Sequence, residues 1–184
     1  MGGHNKWSQI KRQKGAADAA KSNIWGKLSR RITVESKKCG GDVQLPSLRA
    51  VIEKAKSTNM PKDAIDRAVA KGISAEAGSM ESITYETYGP GGVAILIEAL
   101  TDSRNRTAQE IKHLLSENGL ALAAPGSAAW AFEKTTDGPS TTLGTRYEPK
   151  TTVPLSPEDA AKLREMLEKI SEHDDVEEIY TNDA

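Results

Sequence analysis

The chain has 184 residues, 37% apolar and 28% charged, which suits a soluble globular protein with one good core or two modest ones. Its longest apolar run, Val93 to Ile97, is far too short to cross a bilayer, and no charged segment followed by a long apolar stretch opens the chain. The net charge of −1 conceals a division: residues 1–72 hold 16 Lys and Arg against 6 Asp and Glu, residues 73–184 hold 9 against 20. A domain that meets a polyanion, joined to one that must not, carries such a footprint. The blander reading is a dipolar protein whose halves attract each other or a partner. A single cysteine, Cys39, excludes an internal disulfide framework, and three scattered histidines show no zinc-ligand spacing.

In chain order, the first predicted element is a helix from Ala17 to about Val34. Ile24, Leu28 and Ile32 recur every four residues with Trp25 beside them. At about 100° per residue these four share one arc, while Lys27, Arg30, Arg31, Lys37 and Lys38 fall on a separate one, so the basic and buried faces are expected to be distinct. Glu35 lands among the apolar positions, where the helix is expected to fray or turn that side chain out, and Gly40 and Gly41 end it. A second helix is predicted from Ser47, as its cap, to Thr58, with Leu48, Val51, Ile52 and Ala55 inward. A third starts at Pro61, carries Ile65, Ala68 and Val69, and stops at Gly72. The three make a small bundle with a thin core.

After a small-residue linker around Ser74 to Ser79, the period becomes that of a strand from Ile83 to Tyr88. Gly89 to Gly92 (GPGG) turns the chain into an apolar strand, Val93 to Leu100. A helix capped by Asp102 or Ser103 follows, with Ala108, Ile111, Leu114 and Leu115 inward, closed by Asn118 and Gly119. Strands are then predicted at Ala128 to Phe132, at Thr151 to Leu155 and at Val176 to Tyr180. A helix runs from Ser156 to Ile170, and Thr135 to Gly144 is loop. The order predicts an α+β fold: an N-terminal three-helix bundle over residues 1–78, then a ferredoxin-like α+β sandwich over 79–184 with two helices on one face of its sheet.

The candidate chemistry lies in the N-terminal segment, where Lys6, Lys11, Arg12 and Lys14 surround Trp7 with no acid before Asp18. Lysine and arginine neutralise phosphates and release counterions, and an exposed indole stacks on an unpaired base. RNA offers such contacts more readily than duplex DNA. The alternative for Trp7 is an anchor buried against the bundle. GPGG lacks the lysine of a phosphate loop and sits between two strands, so a turn that demands positive φ is the better reading. Arg104 and Arg106 offer a second phosphate contact, although surface arginines more often do nothing measurable. Asp174 and Asp175 beside His173 read as a solvated turn rather than a metal site. No GxSxG elbow occurs and Cys39 has no histidine near it in sequence, so no catalytic residue, cofactor or small-molecule substrate is expected.

The strings GHNKWSQIKRQKGAADA, NMPKDAIDRA, YGPGGVAILIEALTDSRNRT, PKTTVPLS and DDVEEIYTN together closely resemble the YebC/PmpR family, which includes the mitochondrial translational activator of cytochrome c oxidase. The resemblance implies a basic helical first domain followed by α+β domains, no enzymatic activity, and a role in gene expression. Bacterial members are commonly labelled DNA-binding transcriptional regulators, and other members resemble ribosome-associated translation factors. The chain departs from the family's pattern in one respect: a short loop, about Thr135 to Arg146, stands where members carry another inserted α+β domain. The positions carried over are Lys6, Trp7, Lys11, Arg12, Lys14, Lys27, Arg30 and Arg31, to which the helix wheel adds Lys37 and Lys38. With no targeting extension before GHNKW, a bacterial-type cytoplasmic protein is expected. The sequence thus points first to a partner in ribosomal RNA or the ribosome, with no membrane. The alternatives are a duplex-DNA transcriptional regulator and a protein-interaction adaptor that uses the charge asymmetry.

Overall fold

The computed structural model describes residues 18–74, 80–135 and 146–184, with the side chains of the first helix from residue 22 onward. They form two compact units, one ending at Met80 and the other running from Glu81 to Ala184. The segments 75–79 and 136–145, which include most of the predicted linker and loop, lie outside the described residues.

The first unit consists of α1 (Asp18–Lys38), α2 (Pro46–Ser57) and α3 (Lys62–Ile73). Its core is the predicted one: Leu28 and Ile32 from α1, Leu48, Val51, Ile52 and Ala55 from α2, and Ile65 and Ala68 from α3 are buried, with Met60 between them. The Trp25 indole N–H donates to the Thr58 carbonyl oxygen at 3.2 Å, tying α1 to the end of α2. Against α3, α1 presents small polar residues instead of large apolar ones. Thr33 Oγ1 donates to Ala68 O at 3.2 Å and Ser36 Oγ to Val69 O at 2.7 Å. Gly72 makes this approach feasible, because a Cβ there would meet the Thr33 carbonyl oxygen at 2.5 Å and Ser36 Cβ at 2.6 Å. The helix does not fray at Glu35. It continues to Lys38, with Glu35 largely enclosed and paired to Lys38 at 2.7 Å. Beyond it Gly40 and Gly41 take positive φ and stop the helix, and Gly41 N–H returns to Ser36 O at 2.9 Å. The α2 helix begins at Pro46, after Leu45, with no side-chain cap bond, so Ser47 is not its cap.

The second unit is an α+β layer. Strands β1 (Glu81–Tyr88), β2 (Ala94–Thr101) and β5 (Val176–Thr181) form an antiparallel sheet in the order β1-β2-β5. All eight residues of the central β2 are buried, which accounts for its near-continuous apolar sequence. Helices α4 (Arg104–Glu117) and α5 (Pro157–Glu172) cover one face. There Tyr85, Ile95, Ile97 and Ile179 meet Ile111, Leu115, Leu163, Met166 and Ile170. The opposite face, with Ala94, Leu96 and Tyr180, is covered by a 3₁₀ turn (Ala129–Ala131) and a hairpin of β3 (Phe132–Thr135) and β4 (Arg146–Pro149). A bulge lies where β5 leaves its register with Glu98 and Ala99.

Two predicted strands differ in the structure. Ala128 to Phe132 is mostly the 3₁₀ turn, and pairing begins only at Phe132. Thr151 to Leu155 makes a single bridge, Val153 with Asp183. Pro154 has no N–H to extend a ladder, and this segment is held instead by the buried Asn182. That residue accepts from Ala94 N at 2.7 Å through Oδ1, donates to Thr151 O at 3.1 Å through Nδ2, and accepts from Val153 N at 2.8 Å through its backbone oxygen. GPGG is a 3₁₀ turn with positive φ at Gly91 and Gly92. Ser156 caps α5 as expected, accepting from Asp159 N at 3.1 Å.

Candidate nucleic-acid interface

Lys6, Trp7, Lys11, Arg12 and Lys14 lie outside the described residues. On α1 the basic residues divide by burial, not by helical angle alone. Lys37 and Lys38, in the last turn, are exposed, where two cations also complement the negative end of the helix dipole. Arg30 is half-buried. Lys27 and Arg31 are only 7% and 5% exposed, so the expectation of a wholly solvent-facing basic arc does not hold for them. A helical wheel gives direction around an axis but not how many sides of the helix are packed, and the stripe Lys27, Arg31 and Glu35 is enclosed alongside the apolar one.

The bundle carries further exposed cations that periodicity does not single out: Arg49, Lys54 and Lys56 on α2, Lys62, Arg67 and Lys71 on α3. Between α2 and α3 runs a groove of 780 Å³, with Ile52, Met60, Ile65 and Val69 along it. Arg49, Lys56 and Lys62 share its lining with Glu53 and Asp66, and Lys56 pairs with Glu53 at 3.0 Å. These residues contribute to the excess of positive charge, but only a fold shows that α2 and α3 bring them together.

In the second unit the two arginines at the start of α4 separate. Arg106 is committed to carboxylates, with Asp175 Oδ2 at 2.8 Å, Asp102 at 3.2 Å and Glu110 at 3.7 Å. Its hydrogen bond to Asp175, and then that carboxylate's charge, raise the guanidinium pKa. Arg104 stays exposed. Asp175 is not part of a solvated turn: it is 4% exposed and also accepts from Thr107 Oγ1 at 2.7 Å. The turn after α5 folds this carboxylate onto the first turn of α4, which a local reading of charges does not anticipate. Glu110, His173 and Asp175 bring ligand atoms within 4.8 Å of one another. However, His173 already bonds Glu110 at 3.0 Å, and Arg106 and Thr107 already use the Asp175 carboxylate, so the group is a hydrogen-bonded tie between α4 and the start of β5. Burial pushes the Tyr85 hydroxyl pKa up, opposed by the charge of Arg104.

The chain thus consists of a helical unit rich in cations followed by an α+β unit rich in acids. Residues 5–75 match the TACO1/YebC protein N-terminal domain, and residues 80–137 and 138–183 match the TACO1/YebC second and third domain; the chain belongs to the TACO1/YebC family. A "Probable transcriptional regulatory protein" of Fervidobacterium nodosum is 38% identical over 235 aligned positions, covering 99% of this chain and 93% of that protein. The alignment is longer than this chain, so that relative carries residues without a counterpart here. Another protein of the same description, from Thermosipho africanus, is 52% identical over 136 residues, which span 73% of this chain and 54% of the relative. The fold is similar to the crystal structure of a conserved hypothetical protein from Aquifex aeolicus, with a TM-score of 0.85 and 28% identity over 97% of this chain and 96% of that one.

Proposed function

We propose that this chain is a non-enzymatic, nucleic-acid-binding regulator of gene expression that acts on RNA, with ribosomal RNA as its main partner. The observation that carries the reading is the concentration of cations in the helical unit: 16 Lys and Arg in residues 1–72 against 6 acids, with Lys37, Lys38, Arg49 and Lys62 exposed on the folded bundle. A surface of this charge gains affinity from every counterion it displaces from a phosphate backbone. The binding set is Lys6, Trp7, Lys11, Arg12 and Lys14 of the N-terminal segment, joined by Arg30, Lys37 and Lys38 of α1, with Lys27 and Arg31 behind them. Trp7 among the lysines supports RNA over duplex, since stacking needs an unpaired base. In this reading the domains divide near residue 78, and a short loop near residues 135–146 stands in place of the family's inserted domain. The second reading, a DNA-binding transcriptional regulator, is favoured by the description that the relatives carry.

Ultraviolet crosslinking of the tagged chain in cells, followed by sequencing of the bound nucleic acid, separates the two. Ribosomal RNA enriched over an untagged control is the expected outcome. Enrichment of promoter DNA alone would replace the first reading by the second, and enrichment of neither would remove both.

A further inference from the structure

We propose that Trp130 and Tyr88 form a second nucleic-acid contact, a stacking platform for an unpaired base on the α+β unit. The inference rests on the reading of this chain as a binder of single-stranded nucleic acid. Large aromatic side chains are usually mostly buried, yet Trp130 is 60% exposed and Tyr88 38% exposed. Neither is loose. The Trp130 indole N–H donates to the Tyr88 hydroxyl at 3.1 Å, and that hydroxyl donates in turn to the Ser127 carbonyl oxygen. With the hydrogen-bonding groups of both rings engaged, what the pair offers a ligand is flat, polarisable surface. Such a surface suits a nucleobase, every one of which has a π-face.

The backbone beneath the platform is held with similar care. The buried Glu86 carboxylate accepts three backbone N–H groups, from Gly126 at 2.6 Å through Oε1 and from Ala128 at 2.7 Å and Ala129 at 2.9 Å through Oε2. Thr87 Oγ1 donates to Ala121 O at 2.9 Å, and Ala123 N to Glu86 O at 2.8 Å. Segment 121–129 is therefore stitched to β1 immediately before Trp130. A ring fixed before its ligand arrives loses little conformational freedom on binding.

Charge favours a strand of phosphates over an uncharged ring as the occupant. Exposed Lys134 follows Trp130, in β3, and exposed Lys150 is brought beside the turn by its backbone N–H, which donates to Ala131 O at 2.8 Å. Glu133 lies on the opposite face of β3 from Phe132 and Lys134. The Glu86 carboxylate is buried and spent on backbone amides, so it presents no anion to a phosphate.

The test compares two strands of equal length and phosphate count, a fluorescein-labelled oligoadenylate and its abasic counterpart, bound to the full chain in a Trp7→Ala background, which removes the other proposed stacking ring. A stacking platform makes the base-bearing strand bind about 5- to 150-fold tighter. Trp130→Ala should remove that preference and leave the abasic affinity unchanged, while Trp130→Phe, which keeps a flat face, should retain most of it. An undiminished preference in Trp130→Ala, an equal loss on both strands, or no preference before mutation would each overturn the platform while leaving phosphate-driven binding in place. If neither strand binds the unmutated chain, the nucleic-acid reading itself falls and the platform with it.

Discussion

Replacing Lys11, Arg12, Lys37 and Lys38 together by Glu should lower the affinity for single-stranded RNA at low salt by about a hundredfold or more, and flatten its salt dependence. Each single-strand phosphate that is no longer neutralised by a cation takes roughly 0.7 from the slope of log affinity against log salt, so four such phosphates take about 3. Lys37 and Lys38 suit this test because they are exposed at the end of α1. Lys38 gives up its 2.7 Å pair with Glu35, but that lysine's side chain is 60% exposed. Because Glu35 is largely enclosed and would face a like charge, the fold of the variant is checked by circular dichroism before affinities are compared. Lys27 and Arg31 make poor test positions. Reversing charges that are 7% and 5% exposed would confound weaker binding with unfolding. Unchanged affinity and slope in a folded quadruple variant would remove the basic module from the interface.

Glu86→Ala should release the segment that carries Trp130. A carboxylate that accepts three backbone N–H groups is a strong local anchor, and hydrogen bonds to a charged acceptor are worth about 1.5–3 kcal/mol each. Ala128 is buried and loses its acceptor outright, whereas the exposed Gly126 turns to water. The expected cost is about 3 to 5 kcal/mol, read as a fall of roughly 150- to 5,000-fold in hydrogen-exchange protection at Ala128 and Ala129. Exchange at single amides is the appropriate readout, since a chain of two compact units need not unfold in one step. Glu86→Gln keeps the shape but turns a donor toward a donor, so it should lose protection at the same amides. Wild-type protection in both variants would show that the turn holds itself without Glu86.

Legibility in the sequence followed the range of the interactions. The bundle core was readable because Ile24, Leu28 and Ile32, then Leu48, Val51, Ile52 and Ala55, repeat at the helical period, and a helix must bury such a stripe. The two helices on one face of the sheet were readable for the same reason, and Ser156 with Pro157 marked the start of α5. What was not readable depends on partners far away in sequence. Strand alternation gives Glu86 a face but no partner: Gly126, Ala128 and Ala129 come to it across about forty residues. Asp175 looked solvated until Arg106 and Thr107 were placed beside it. Thr151 to Leu155 had a strand's composition but is held by Asn182 instead of a ladder. The basic surface was half legible: the charge asymmetry marked the helical unit as cation-rich, but Lys27 and Arg31 are buried and the fold brings Arg49, Lys56 and Lys62 beside one groove.

Sedimentation of the tagged full chain through a sucrose gradient, with and without added ribosomes at low salt, tests the central claim most directly. The wild-type chain should move from the top of the gradient into the ribosomal fractions and return to the top as salt rises, while the quadruple Glu variant stays at the top throughout. A wild-type chain that remains at the top at low salt with ribosomes present would contradict the account.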